Sequence, residues 1–396
     1  MDFEFSEEQL MFRESMKEFC ARYIAPRLKQ IIKLRTIPED VHEAAVKHGL
    51  YGLRLPTEFG GADADFVTFL IAVEELVHAD PTGVSIVPIW YPASCAQLIS
   101  KYGSQRLKEE VLPNVVKKGW LTPTHSTEPG CGTDFTAITT TAKKEGETYV
   151  INGEKQCVSL VEEVEKYGGG FLTTVKTRPE LGGRGMSIVY IPWGSNGITT
   201  TKFEGMCHYL YGVRYTDTRV PHYCLIGEEN AGYTYIYESF VFARIPTTLM
   251  LVASAEKCIE LGMEYLKQRK AFGRPIAAHE GLQFELAEHF ARIQAAKWLC
   301  YRAAWLAEQY RQGKVKLDEP MLVSAAAKLI ASEDCVKAVS DVLEWFGGLG
   351  TTTEYIIESV YRSAKQNCIA EGTRHAQKIV ISLGLLGREF ISWKRW

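Results

Sequence analysis

The chain has 396 residues, of which 46% are hydrophobic, and a formal net charge of −3. That apolar content is enough to bury a large core and implies two or three domains. The near-neutral balance, with no long run of one sign, gives no reason to expect a nucleic-acid-binding surface but leaves a small anionic ligand open. Ten cysteines without a CxxC pair point away from a zinc ribbon, a redox pair or a disulfide scaffold, and toward free thiols in the cytoplasm. The acidic start, MDFEFSEEQL, lacks the basic and apolar regions of a signal peptide. No stretch approaches ~20 apolar residues, so no membrane span is expected.

In chain order, residues 6–120 read mostly as helices. SEEQLMFRESMKEFCARYI begins with Ser6 in a cap-like position and then spaces its apolar residues three and four apart. LPTEFGGADAD is a loop by its Pro and Gly content, and FVTFLIAVEELVHA is an apolar helix. CAQLISKYGSQRLKEEVLPNVVKKG reads as two more helices. From 121 to 228 the texture changes to short alternating segments rich in Thr, Val and Tyr, an antiparallel β signal. From 229 to 396 long amphipathic stretches return, suggesting a bundle of four or five helices. The fold class expected is α+β multi-domain: helical, then antiparallel β, then a helical bundle.

Four stretches stand out. HSTEPGCGTD, by itself, is a Gly/Pro turn whose backbone N–H groups can approach a ligand. RKAFGRPI places Arg269 at a helix end, where an exposed arginine is the ordinary reading. LEWFGGLGTTTEY holds a GGLG that follows a helix and not a strand, so it is no dinucleotide fingerprint of the βαβ kind. CIAEGTRHAQ sets a single acid, Glu371, before Gly372 and a helix-forming run. It is either an acid favoured by exposed N–H groups at a helix start or a catalytic base.

Together, in this order and over nearly the whole chain, these stretches resemble the FAD-dependent acyl-CoA dehydrogenases. HSTEPGCGTD is similar to that family's TEPxxGSD signature, RKAFGRPI to its RxxFGxxI run, LEWFGGLGTTTEY to its QxxGGxGY segment and IAEGT to its YEGT motif. The resemblance implies an N-terminal helical domain (1–120), a middle β-domain (121–228), a C-terminal four-helix bundle (229–396) and a homotetramer built as a dimer of dimers. It implies FAD contacts at His125, Thr127, Gly132, Thr133, Val158, Ser159, Arg269, Phe272, Glu280, Glu344, Gly347, Gly348, Thr373 and His375. It implies acyl-CoA contacts at Thr133, Arg244, Ala370, Gly372 and Tyr91, catalysis by Glu371, and no metal. In such an enzyme the carboxylate removes the α-proton of an acyl thioester, flavin N5 accepts the β-hydride, and an electron-transferring flavoprotein takes the electrons. Desolvation that raises the carboxyl pKa suits it to the task, and Cys368, Ile369 and Ala370 are expected to supply an apolar wall. Relatives that carry the base just before the matched arginine have it where this chain has Ala243, which favours Glu371.

Departures from the family pattern bear on the substrate. Ala370 stands in place of a Tyr and Cys157 in place of a Trp or Phe, so two rings are lost near the flavin. Val241 replaces an Asp, and Glu280 and Glu344 replace Gln. Val84 falls where a glutaryl-CoA enzyme has Arg, so that carboxylate clamp is not expected. PIWYPAS, with Trp90 and Tyr91, reads as a pocket wall or as a helix turn. The lost rings have two readings: ordinary drift, with side chains such as Trp90 and Tyr91 filling the space, or, the one preferred, a wider acyl pocket for an aryl, alicyclic or branched acyl-CoA. The alternatives are an acyl-CoA oxidase or an enoyl-CoA reductase on the same fold and, further off, a flavin monooxygenase or a non-catalytic scaffold.

Overall fold

The computed structural model describes residues 4–390; the side chains of residues 92–94 and of Arg388 lie outside the description, as do residues 1–3 and 391–396. The chain divides into two compact units. One is built from the residues up to Leu34, Asp65–Ile86 and Arg244 onward; the other is Arg35–Ala64 and Val87–Ala243.

The second unit is built on a seven-stranded sheet. Its strands are β1 (Thr124–His125), β2 (Thr141–Glu145), β3 (Thr148–Val158), β4 (Gly170–Lys176), β5 (Met186–Pro192), β6 (Ile198–Glu204) and β7 (Tyr209–Pro221), in the order β1-β4-β2-β3-β7-β6 with β5 beside β4. Five of these strands follow the alternating segments expected. The hairpin and meander pairs β2–β3, β3–β7, β4–β5 and β6–β7 are antiparallel, whereas β1 and β2 each meet β4 in parallel. The sheet is therefore mixed. The β6 strand was not legible as one, because its residues are mostly exposed on both faces and give no apolar alternation. The unit also holds helices Glu39–Lys47, Ile86–Tyr102, Gln105–Lys118 and Val161–Tyr167; the second of these starts nine residues before CAQLISKYG and takes PIWYPAS into its length.

In the first unit, Ser6 caps helix Glu7–Phe19 in a reciprocal capping box with Gln9, as the spacing predicts. Helix Phe66–Ala79 starts on Asp65, whose carboxylate accepts the N–H groups of Val67 and Thr68. The C-terminal part holds the long helices Glu280–Arg311, Asp318–Ile330, Val336–Trp345, Ile357–Asn367 and Arg374–Leu386. The π-helical turn Ala331–Cys335 joins two of them, so the stretch read as one amphipathic helix is interrupted by a wider turn. Arg13, Glu74, Lys297, Glu256 and Tyr301 knit these helices through buried ion pairs and hydrogen bonds.

Helix Gly232–Gln268 is long and apolar enough, by length and composition, to cross a membrane, but 78% of its most apolar window is buried within the protein. The apolar residues in its Arg244–Gln268 part include Ile245, Leu249, Val252 and Cys258, which all pack inside.

Candidate active site

In the first unit, Glu371 follows helix Ile357–Asn367 by four residues and precedes helix Arg374–Leu386. Thr373 is the N-cap of the second helix, its hydroxyl oxygen accepting the Ala376 N–H at 3.3 Å. Glu371 therefore lies outside the helix's first turn, which weakens the reading of it as a mere helix-start acid. Its backbone is unusual: φ is +55° at Glu371 and +98° at Gly372. A non-glycine residue in that region is uncommon and marks a position held by its surroundings. Here the holding group is Gln377, fully buried, whose amide donates to the carbonyls of Glu371 (3.2 Å) and Gly372 (2.8 Å). A Cβ at Gly372 would meet that amide nitrogen at 2.6 Å. Glycine is thus needed for its positive φ and for Gln377, in addition to any approach of a ligand. Gln377 was missed by the sequence reading, although it closes the quoted stretch.

Burial raises the Glu371 carboxyl above the usual carboxylate range, outweighing the downward pull of the Lys328 and Arg244 cations. An acid placed to be stabilised by a helix N-terminus would move the other way. Among the described residues nothing hydrogen-bonds the carboxylate. Arg244 is 6% exposed and donates to Ser324 at 3.4 Å. Of the expected apolar wall, Cys368 is buried but Ile369 is 55% exposed and Ala370 is also exposed. The turn leaving the helix points those two outward from this unit. His375 is exposed in the helix's first turn.

The other motifs of this unit form a second group. Arg269 is exposed and is followed by a hairpin of β8 (Lys270–Ala271) and β9 (Arg274–Pro275). The two turn residues, Phe272 (φ +51°) and Gly273 (φ +78°), both have positive φ, and the Phe272 ring is 95% exposed. Phe272, Ile276, Leu282, Glu285, Glu344 and Trp345 are among the residues lining a cavity of about 400 Å³. Glu280 is exposed at the start of its helix. Gly347 and Gly348 are exposed, with open space where a Cβ would lie. Leu282, Glu285 and Trp345 were not singled out from sequence, because nothing in their spacing separates a cavity wall from a helix face.

In the second unit, the 125–134 loop is anchored by Glu128. Its carboxylate accepts the Thr139 N–H (2.6 Å), the Thr139 hydroxyl (2.8 Å), the Thr140 N–H (3.1 Å) and the fully buried Lys155 ammonium (2.8 Å). Burial pushes Glu128 up, but Lys155 and these donors hold it down at about 2. Burial brings Lys155 down to about 8 despite Glu128, so the pair is ionised at neutral pH. His125 is buried and stacked on Phe171 at 4.3 Å, and Phe171 meets Trp193 edge-on. Thr127, Gly132 and Thr133 lie on the half-buried to exposed part of the loop. Val158 is buried, whereas Cys157 is exposed at φ +56°. Ser159 pairs with His208 Nε2 at 3.2 Å, and burial lowers His208 to about 4, leaving it neutral. Tyr91 donates to the Thr124 carbonyl at 3.3 Å and meets the buried Trp90 edge-on.

Three family models match this chain: the acyl-CoA dehydrogenase N-terminal domain over 6–119, the middle domain over 124–210 and the C-terminal domain over 230–386. The chain belongs to the acyl-CoA dehydrogenase family. It is 32% identical to an acryloyl-CoA reductase (NADH) of Anaerotignum propionicum, across 98% of this chain and 97% of that one. It is 30% identical to a cyclohexane-1-carbonyl-CoA dehydrogenase of Geobacter metallireducens, across 97% and 99%. The butyryl-CoA dehydrogenase structure from Megasphaera elsdenii superposes with a TM-score of 0.89 at 26% identity, covering 98% of this chain and 100% of that one. Relatives at 26–32% identity thus carry different acyl names, so overall identity does not select the substrate.

An acyl-CoA dehydrogenase is an FAD-dependent oxidoreductase, and the residues present fit FAD. The 124–134 region carries exposed hydroxyls and two buried ones, on Thr124 and Ser126, that have no hydrogen-bond partner among the described residues. Gly130 and Gly132 leave open space where a Cβ would stand. For a metal the case is poor. Glu74, His78 and Glu256 offer three ligand atoms within 4.8 Å, but Lys297 lies 2.5 Å from Glu74 and 3.1 Å from Glu256, already balancing their charge.

Proposed function

We propose that this acyl-CoA dehydrogenase converts an acyl-CoA thioester to the 2-enoyl-CoA with Glu371 as the base, and that its acyl group is bulky: aryl, alicyclic or branched. The observation that carries the base assignment is the raised Glu371 carboxyl on a positive-φ turn. A carboxyl whose proton affinity lies nearer neutrality takes a weakly acidic α-proton more readily. FAD, when bound, supplies the hydride acceptor; Thr127, Thr133 and Ser159 are donors that would hold it, and Arg269 would meet the pyrophosphate of the neighbouring subunit's FAD. Arg269 suits a pyrophosphate through its planar fork. Arg244 lies near Glu371 as a buried cation and would orient the thioester.

The bulky substrate is supported by Ala370 and Cys157 together. Both are exposed small residues where the family pattern has rings. The product electrons would pass to an electron-transferring flavoprotein. A homotetramer is supported by helix Glu280–Arg311, which exposes Phe284, Trp298 and Trp305 at seven-residue multiples, the spacing of a helix seam that another helix covers.

The test is a panel of straight-chain, branched, alicyclic and aryl acyl-CoAs with an artificial electron acceptor, run on the wild type and Glu371→Gln. The substitution keeps shape and removes the base, so turnover is expected to fall by about 10³-fold or more with flavin still bound. Near-normal turnover would assign the base elsewhere. A best kcat/KM on butyryl- or octanoyl-CoA would sink the wide pocket while leaving the base intact. The reductive direction is the second reading, favoured by the acryloyl-CoA reductase similarity; enoyl-CoA with a reduced electron donor measures it.

A further inference from the structure

Lys328 lies in helix Asp318–Ile330 and is fully buried. Its ammonium donates to the carbonyl of Asn367, the last residue of helix Ile357–Asn367. One turn earlier on the same helix, Ser324 accepts from Arg244. Residues four apart share a helix face, so one face of this helix holds both the arginine and the end of the helix that leads to Glu371. A buried ammonium is costly unless charge and hydrogen bonds compensate it. An apolar side chain would fill the same space without that cost, so the presence of a lysine calls for a charge that uses it.

The charged and titratable groups that act on Lys328 are Cys368 and Glu371 beyond the Ile357–Asn367 helix, Arg244 on helix Gly232–Gln268 and Cys335 in the π-helical turn. Those acting on Glu371 are Lys328 and Arg244. Burial lowers Lys328 to about 8, more than Cys368 and Glu371 restore.

We propose that Lys328 is a positioning residue for Glu371: it ties down the Asn367 carbonyl from which the 368–372 turn departs, and its buried positive charge favours the Glu371 carboxylate. The assignment rests on the reading of Glu371 as the base. It differs from a packing role because the lysine's charge, and not only its volume, is what the site uses.

Three variants separate these contributions. Lys328→Gln keeps a donor for Asn367 and removes the charge, Lys328→Met removes both, and Lys328→Arg keeps the charge. Each is purified with its flavin, and two titrations are followed. One is the acid limb of kcat/KM; the other is the Glu371 carboxyl C=O infrared band, assigned by difference against Glu371→Gln. Removing a neighbouring cation raises a carboxyl pKa, so both midpoints are expected to move up by roughly one pH unit in the Gln and Met variants. They should stay near the wild-type value in Lys328→Arg, and Lys328→Met should in addition melt at lower temperature. Unmoved midpoints in Lys328→Gln would overturn the proposal, whatever happens to the melting temperature. So would failure of all three variants, Arg included, to give folded flavoprotein, since that result assigns Lys328 to the core alone. Should Lys328→Met alone not fold, the Gln and Arg pair carries the comparison. The infrared titration needs no turnover, so it stands even if Glu371→Gln proves active and the base reading fails.

Discussion

Two glutamates in this chain are treated in opposite ways. Glu128, in the unit that holds the β-sheet, accepts four hydrogen bonds and faces a buried lysine that holds its carboxyl down at about 2. Glu371, in the helical unit, accepts none among the described residues, sits on a positive-φ backbone and has its carboxyl raised by burial. The first carboxylate is saturated with donors, so it is a fixed structural anchor for the 125–134 loop. The second is left without donors, so its affinity is available for a proton. The same side chain is held ionised or left with a raised proton affinity according to how many N–H and ammonium groups surround it.

The comparison breaks most visibly at Lys155. Lys155→Met strands Glu128 in the interior without its cation, and loss of one partner of a buried pair costs about 3–5 kcal/mol. The melting temperature should fall sharply, and flavin should be lost from the purified protein as the loop loosens. The pH dependence has a definite sign. Wild-type Glu128 has a folded pKa below its unfolded one, so its contribution is present above the ordinary glutamate range and is lost as pH falls toward about 2. In the variant the stranded carboxyl is raised, so the deficit relative to wild type should be largest at neutral pH and shrink toward pH ~4. Thermal melts of both proteins across that range measure it. A deficit independent of pH would mean that Lys155 acts by packing alone.

The opposite glutamate is probed through its turn. Gly372→Ala puts a Cβ into the Gln377 amide at a φ of +98°, a strain of about 1–3 kcal/mol. If the turn serves to present Glu371, turnover should fall more than stability and flavin content do, and kcat more than the apparent affinity for substrate. A variant that merely melts earlier while turning over normally would make the turn a matter of folding and not of presentation.

How far these features could be read in advance differs between the two sites. The helices came from apolar spacing and the Ser6 cap, because those signals lie within a dozen adjacent residues. The loop and turn motifs came from family likeness, and the structure puts Phe272 and Glu344 around one cavity although 71 positions separate them. What was not legible is what holds each motif. Lys328 reads as an ordinary residue of an amphipathic helix until the fold sets its ammonium against Asn367. Gln377 reads as surface until it is found fully buried under Glu371 and Gly372. The parallel meeting of β1 and β2 with β4 is likewise decided by contacts across the sheet. Local chemistry is written along the chain, whereas the groups that set a carboxyl's environment arrive from elsewhere in it.

The mildest probe is Thr373, which the likeness assigns to FAD and the structure assigns to a helix cap. Replacing a capping threonine by alanine costs about 1 kcal/mol, and Thr373→Ser should restore it because the serine oxygen can still accept the Ala376 N–H. The cap uses only the oxygen as acceptor, so the hydroxyl proton is still available to donate to another group. If that group is FAD, Thr373→Ala should weaken flavin retention beyond what its loss of stability accounts for, and Thr373→Ser should recover both. Flavin dissociation followed by fluorescence, beside melts of the same samples, separates the two. Proportional loss of both would leave Thr373 as a cap and nothing more.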